Sequence, residues 1–275
     1  MPLSIFCLVL FAALMHAGWN AIVKSAPDKL MTTVLVSGFA ALIAVCVLPF
    51  LPAPAPASWP FLVFSPLLQA LYFALVARCY QVADMSQAYP LMRGAAPLLV
   101  AVASVLWLGE HLGATAWIGI AVVCLGVLAM ALGSGRLHHA VLPLFNAGII
   151  ASYTLLDAAG ARHSGHALSY TLWLFALTAL PLLGWALLAQ RARLITQLRS
   201  NTGRSVAGGV GTLLSYSLAL WAMTQAPVAL VAALRESAIL FGLAISALLL
   251  KERPPPRRLI AAAIIALGVV VLRLA

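Results

Sequence analysis

Residues 93–110 read RGAAPLLVAVASVLWLGE, and residues 235–252 read RESAILFGLAISALLLKE. In this single register Arg93 meets Arg235, Ala96 meets Ala238, Ser104 meets Ser246, Leu106 meets Leu248 and Glu110 meets Glu252. Continuing along it, Leu125-Gly126-Val127 meets Leu267-Gly268-Val269. Identity among apolar residues is common in a chain this rich in them, but composition alone does not put arginine, glutamate and glycine into one register. The pattern is that of a duplicated unit. With the register slightly relaxed, Tyr72 meets Tyr216 and Gln81 meets Gln225, and earlier in the chain Phe11, Ala17 and Trp19 meet Phe145, Ala151 and Tyr153.

The composition says where such a unit resides. Of 275 residues, 64% are hydrophobic and 8% charged, against about 25% charged in a soluble domain. A soluble enzyme, a disulfide scaffold or a disordered tail is excluded; this is an integral membrane protein whose first partner is the lipid bilayer. The formal charge of +10 falls mostly between apolar runs, so it reads as topology-setting loop charge and not as a nucleic-acid surface. Cys7, Cys46, Cys79 and Cys124 stand singly, without CxxC spacing, as apolar packing residues. The run from Leu3 to Val23 has the length of a span and no small-residue cleavage pattern, so it is read as the first transmembrane helix and not as a signal peptide.

Cutting at charges, prolines and glycines leaves about ten runs of roughly 20 residues, each matching a ~30 Å hydrocarbon core. They cover 3–23, 30–50, 59–80, 85–108, 112–132, 139–160, 167–190, 205–224, 227–250 and 257–274. The expected fold is all-α with ten transmembrane helices, in five-helix halves 1–135 and 136–275. Five is odd, so the second half enters the membrane upside down. Inverted-topology repeats are characteristic of secondary transporters, with one mid-membrane site between the halves. Helices one, three, four, six, eight and nine are expected to line the cavity. Gly119, Gly126 and Gly133 on helix five, echoed by Gly268 on helix ten, form a small-residue face for packing or dimerisation at the periphery; a monomer and a homodimer both fit. The stretch Pro52-Ala53-Pro54-Ala55-Pro56 reads as an extended spacer. Loops after odd-numbered helices carry most of the cations, including Lys24, Lys29, Arg191 to Arg204 and Lys251 to Arg258, whereas the other side has Arg162 and Arg273. The positive-inside rule puts the basic side in the cytoplasm and both termini outside.

Arg93 and Arg235 lie about nine residues into their runs, roughly 12 Å below the surface. An intramembrane guanidinium faces the bundle interior or a watery cavity. Each could bind a substrate carboxylate or phosphonate in bidentate fashion, or tie helices together through Glu236 or Asp157. Glu236 and Asp157 are the proton-coupling candidates, with a salt bridge and an interfacial position as their structural readings. On helix one His16, Trp19 and Asn20 share a face, answered by Tyr153 and Thr154 in the second half. The stripe either lines the substrate path or makes interhelical hydrogen bonds. Tyr72 and Tyr216 complete the candidate substrate-binding set; Gln69, Tyr89 and Ser215 form a second tier. Glu110 and Glu252 read as capping residues at helix ends. His138-His139, and Arg162-His163 with His166, lack partners in metal-ligand order, so no metal and no cofactor is expected. HExxH, GxSxG and GxxxxGK[ST] are absent, leaving protease, hydrolase and ATP-driven readings without a motif; the chain is not expected to be an enzyme.

The chain also resembles the EamA-type branch of the drug/metabolite transporter superfamily along essentially its whole length. The resemblance rests on Met15-His16-Ala17-Gly18-Trp19-Asn20-Ala21-Ile22-Val23-Lys24, on Leu106-Trp107-Leu108-Gly109-Glu110, and on Leu248-Leu249-Leu250-Lys251-Glu252 followed by Leu267-Gly268-Val269. Lys251 stands where the family's second copy usually has glycine. What the resemblance implies is a multi-pass carrier of the bacterial inner membrane, often an exporter of amino acids, other metabolites or drugs. Two core arginines against one core carboxylate favour a small anionic or zwitterionic substrate, such as an amino acid, an organic acid or a phosphonate. A multidrug carrier for cations and a flippase for a lipid-linked intermediate are the alternatives. Proton coupling is the default driving force.

Overall fold

Inside hydrocarbon every backbone N–H and C=O must find a partner within the protein, which leaves an apolar run little choice but helix. The computed structural model describes residues 1–82, 85–131, 140–248, 251 and 254–275. Its helices are α1 (Leu3–Ser25), α2 (Lys29–Val47), α3 (Trp59–Val82), α4 (Met85–Trp107), α5 (Ala114–Ala129), α6 (Val141–His163), α7 (Ala167–Ala189), α8 (Arg191–Gln225), α9 (Val228–Arg235), α10 (Ala238–Leu248) and α11 (Pro256–Leu274). Together they make ten crossings, α9 and α10 being two pieces of one. No strand occurs among the described residues. The expected boundary at 135/136 falls within 132–139, and Gly133, Arg136, His138, His139 and Glu252 likewise lie outside the described residues.

The packing has the symmetry of the repeat. Exchanging α1 with α6, α2 with α7, α3 with α8, α4 with α9–α10 and α5 with α11 maps the main helix pairs onto one another, although α7–α8, α6–α8 and α5–α9 lack a matching pair of comparable extent among the described residues. Thus α1 packs on α8 as α6 packs on α3, and α4 on α6 as α10 on α1, while α2–α7, α4–α9 and α5–α11 are self-related pairs. The repeat reaches the backbone. Gly109, just past α4, has φ +65°, and its counterpart Lys251, past α10, has φ 55°. A lysine therefore holds the left-handed turn that glycine holds in the first copy.

Two features depart from the ten-run reading. α8 begins at Arg191, well before the expected start at 205, and Asn201 (φ −136°, ψ 24°) kinks it, so 191–200 is a separate short helix. It docks on the start of α2: Leu194 joins Met31, Val34 and Leu35, the Gln197 side chain donates to Thr32 Oγ1 at 2.7 Å, and Arg193 pairs with Asp28 at 2.9 Å. Asp28 in turn caps α2 by accepting from the Met31 N–H at 3.1 Å. The ninth crossing is interrupted at Glu236-Ser237, where the N–H groups of both residues turn back by three residues to Ala233 and Leu234.

α5 and α11 meet through glycine. A methyl group at Gly126 would sit 2.7 Å from Ile265 Cγ1 and 2.8 Å from its backbone nitrogen, with Gly119 against Leu272 and Gly268 against Val123 equally tight. The glycine face is thus consumed inside the chain, between its halves. The proline spacer is held as well: Ala55 N–H donates to the Ser164 carbonyl at 3.0 Å and Ser169 Oγ to the Pro52 carbonyl at 2.8 Å.

Candidate functional site

Midway through the bundle the helices leave a cavity of about 230 Å3. Of the residues singled out from sequence, His16, Trp19, Asn20, Tyr72, Arg93, Tyr153, Tyr216, Arg235 and Glu236 all line it, as do Gln69, Tyr89 and Ser215. Asp157 is not in the wall.

Arg93 and Glu236 form a two-pronged pair across the halves, Nε to Oε2 at 3.1 Å and an Nη to Oε1 at 2.9 Å. The fork geometry uses both carboxylate oxygens. Arg235 differs in its surroundings. Its guanidinium carbon stands 5.2 Å from the centroid of the Tyr216 ring, a cation–π distance, and among the described residues no carboxylate is within ion-pair distance of it. Arg235 sits where its helix is interrupted, while Arg93 lies within the continuous α4 beside a missing backbone hydrogen bond. Arg93 is four residues before Pro97, which has no N–H to return to the Arg93 carbonyl, and Arg235 ends α9. Broken helices of this kind commonly surround transporter sites.

Asp157 lies one layer back, fully buried, accepting from Tyr216 Oη at 2.5 Å, Tyr170 Oη at 3.2 Å and Gln69 Nε2 at 3.3 Å. The helix carries it into the protein interior behind Tyr216. The α1 stripe is present, with the Trp19 ring edge-on to His16 at 5.3 Å. Asn20 turns Nδ2 back to the His16 carbonyl at 2.7 Å, which occupies one of its two N–H bonds. Tyr72 and Tyr153 meet edge to face at 5.8 Å.

The cavity draws on two helices not expected to reach it. α2 contributes Thr33 and Ser37, and α7 contributes Phe175 and Thr178. Isolated hydroxyls in apolar helices read like residues that bond back to their own backbone, as Thr33 does to the Lys29 carbonyl at 2.8 Å, so the sequence held no distinguishing signal. α5 and α11 contribute nothing to the wall.

Outside the cavity, Glu110 accepts the Val228 N–H on both oxygens at 3.0 Å, capping α9 as expected, and pairs with Arg162 at 2.6 Å. His163 binds the Ala159 carbonyl and stacks on Phe61. No group of three potential metal ligands occurs among the described residues. All four cysteines are free.

Ten helices in two repeats around a mid-membrane cavity define a multi-pass membrane transporter. A family model described as the EamA-like transporter family matches residues 3–132 and again 140–274, and the chain belongs to that family, within the drug/metabolite transporter superfamily. Twenty-nine solved chains match the fold. One of them, described only as the crystal structure of a protein, has a TM-score of 0.76 at 18% identity, covering 100% of this chain and 98% of its own; at that identity the likeness speaks for the fold alone. No curated protein matches in sequence.

Proposed function

We propose that the protein is a secondary transporter, by alternating access, of a small anionic or zwitterionic metabolite such as an amino acid, an organic acid or a phosphonate. The observation that carries this is the inequality of the two arginines: Glu236 is engaged by Arg93, leaving Arg235 as a cavity-facing cation without a carboxylate. The acid group of the substrate docks on Arg235, with its apolar part against Trp19, Tyr153 and Tyr216. A lipophilic cation would meet an excess positive charge there, unfavourable in a low-dielectric wall. The membrane is the bacterial inner membrane, with both termini on the non-cytoplasmic side. Glu236 and Asp157 are the groups through which a proton would couple.

The test is uptake into proteoliposomes of a panel of amino acids, organic acids, phosphonates and cationic dyes. A charge-assisted hydrogen bond contributes about 1.5–3 kcal/mol, so Arg235→Gln should weaken apparent affinity for the transported acid by about 10- to 100-fold. Normal acid transport by Arg235→Gln would refute this docking. Transport of a cationic dye that Glu236→Gln abolishes would replace it with the multidrug reading.

A further inference from the structure

From the middle of the bundle the cavity reaches toward one face. On α1 its lining residues are His16, Trp19 and Asn20, in the C-terminal half of the helix; on α2 they are Thr33 and Ser37, in the N-terminal half; on α7 they run from Leu174 and Phe175 past the midpoint to Leu182 in the C-terminal half. All these halves point to the face that carries 26–28 and 190–200, the basic face. Toward the opposite face, where both termini lie, the interior is filled: Val9, Leu155, Tyr170, Leu220, Met223 and Leu234 are buried in one apolar cluster. The cavity therefore reaches further toward the basic side, while the termini-bearing side is packed shut.

Beside that apolar packing lies one polar knot. Gly109 turns the chain after α4, and the Leu108 and Glu110 N–H groups both return to the Ser104 carbonyl, at 3.0 and 3.2 Å. This presents the Glu110 carboxylate to the start of α9, where it takes the Val228 N–H, and to Arg162 at the end of α6. Arg162 also donates to the Met223 carbonyl at 2.9 Å and to the Ala226 carbonyl at 3.2 Å, at the turn between α8 and α9. One ion pair thus ties the first half, through α4, to three helices of the second, on the closed face. Of the described ion pairs, only this one lies on that face.

We propose that Glu110 and Arg162 are the latch of the termini-bearing face, and that the pair must part each time the transporter opens there. The inference rests on the alternating-access reading but not on the identity or charge of the substrate. It assigns Glu110 a role beyond helix capping: its carboxylate couples the cap of α9 to the closure of the pathway.

The experiment measures distance and needs no substrate. With the four native cysteines replaced, spin labels on Ala114→Cys and His166→Cys, both exposed on this face, report the separation of the α4–α5 and α6–α7 connections in nanodiscs. The native latch should give one short-distance population. Arg162→Gln, which leaves the Glu110 cap on α9 in place, should add a longer population. Glu110→Gln should do the same, and the double variant should match either single one. A cross-linker joining Glu110→Cys to Arg162→Cys should hold the short population alone and stop uptake of any solute the panel identifies, until it is cleaved. Folded Arg162→Gln with an unchanged distance distribution, or undiminished uptake in the cross-linked protein, would overturn the latch. Failure of the whole panel to reveal an acid would instead remove the substrate reading and leave the distance result standing.

Discussion

Removing Arg93 strips the Glu236 carboxylate of two hydrogen bonds in a buried site, and losing one partner of such a pair costs about 3–5 kcal/mol. Arg93→Gln should accordingly lower the thermal midpoint in detergent, and Arg93→Gln combined with Glu236→Gln should recover much of the loss. A midpoint unchanged by the single substitution would mean that Glu236 finds another partner. Arg235→Gln leaves no carboxylate stranded and should fold as the native chain does, so the two repeat-related arginines separate by stability before transport is measured. Lys251 offers a second test. A non-glycine residue in the left-handed region costs roughly 1–2 kcal/mol, so Lys251→Gly should raise the thermal midpoint, while Gly109→Ala, at the matching turn, should lower it.

Among the elements, the α5–α11 seam tolerates least. A single Cβ at Gly126 would press on the Ile265 backbone nitrogen and the Ala261 carbonyl as well as on Ile265 Cγ1, so a side-chain rotation alone does not relieve it, and overpacking of this kind costs about 1–3 kcal/mol. Gly126→Ala should therefore destabilise, whereas Gly148→Ala on α6, with nothing within 4 Å of the added methyl, should be neutral or slightly stabilising; equal effects would show that the seam yields. The ten crossings were legible because hydrocarbon thickness imposes a length on every apolar run. The helix 191–200 was not, because its arginines read as a loop and only its docking of Leu194 and Gln197 on α2 reveals it. Arg93, Arg235 and the α1 stripe were legible from cost and periodicity. The pairing of Glu236 with Arg93, and the withdrawal of Asp157 behind Tyr216, depend on how α4, α6 and α9 are rotated about their axes, which no single helix records.

For the molecule as a whole, the lopsided basic charge is what supports the proposed orientation. Ser200→Cys and Ala57→Cys, each in a background without the native cysteines, lie on opposite faces and should differ in labelling by an impermeant thiol reagent applied to cells: Ala57→Cys reacts and Ser200→Cys is protected. The reverse pattern would invert the topology and direct the open cavity outward.

The α2–α3 connection extends this to chain connectivity. Surface connections ordinarily accept insertions with little penalty, and an alternating alanine–proline stretch looks like a natural place for one. Here, however, its Pro52 carbonyl and Ala55 N–H are already bonded to the other half of the protein. The stretch behaves as a stitch between the repeats, so an epitope or a fluorescent domain spliced into it would prise the halves apart along one face while leaving every helix intact.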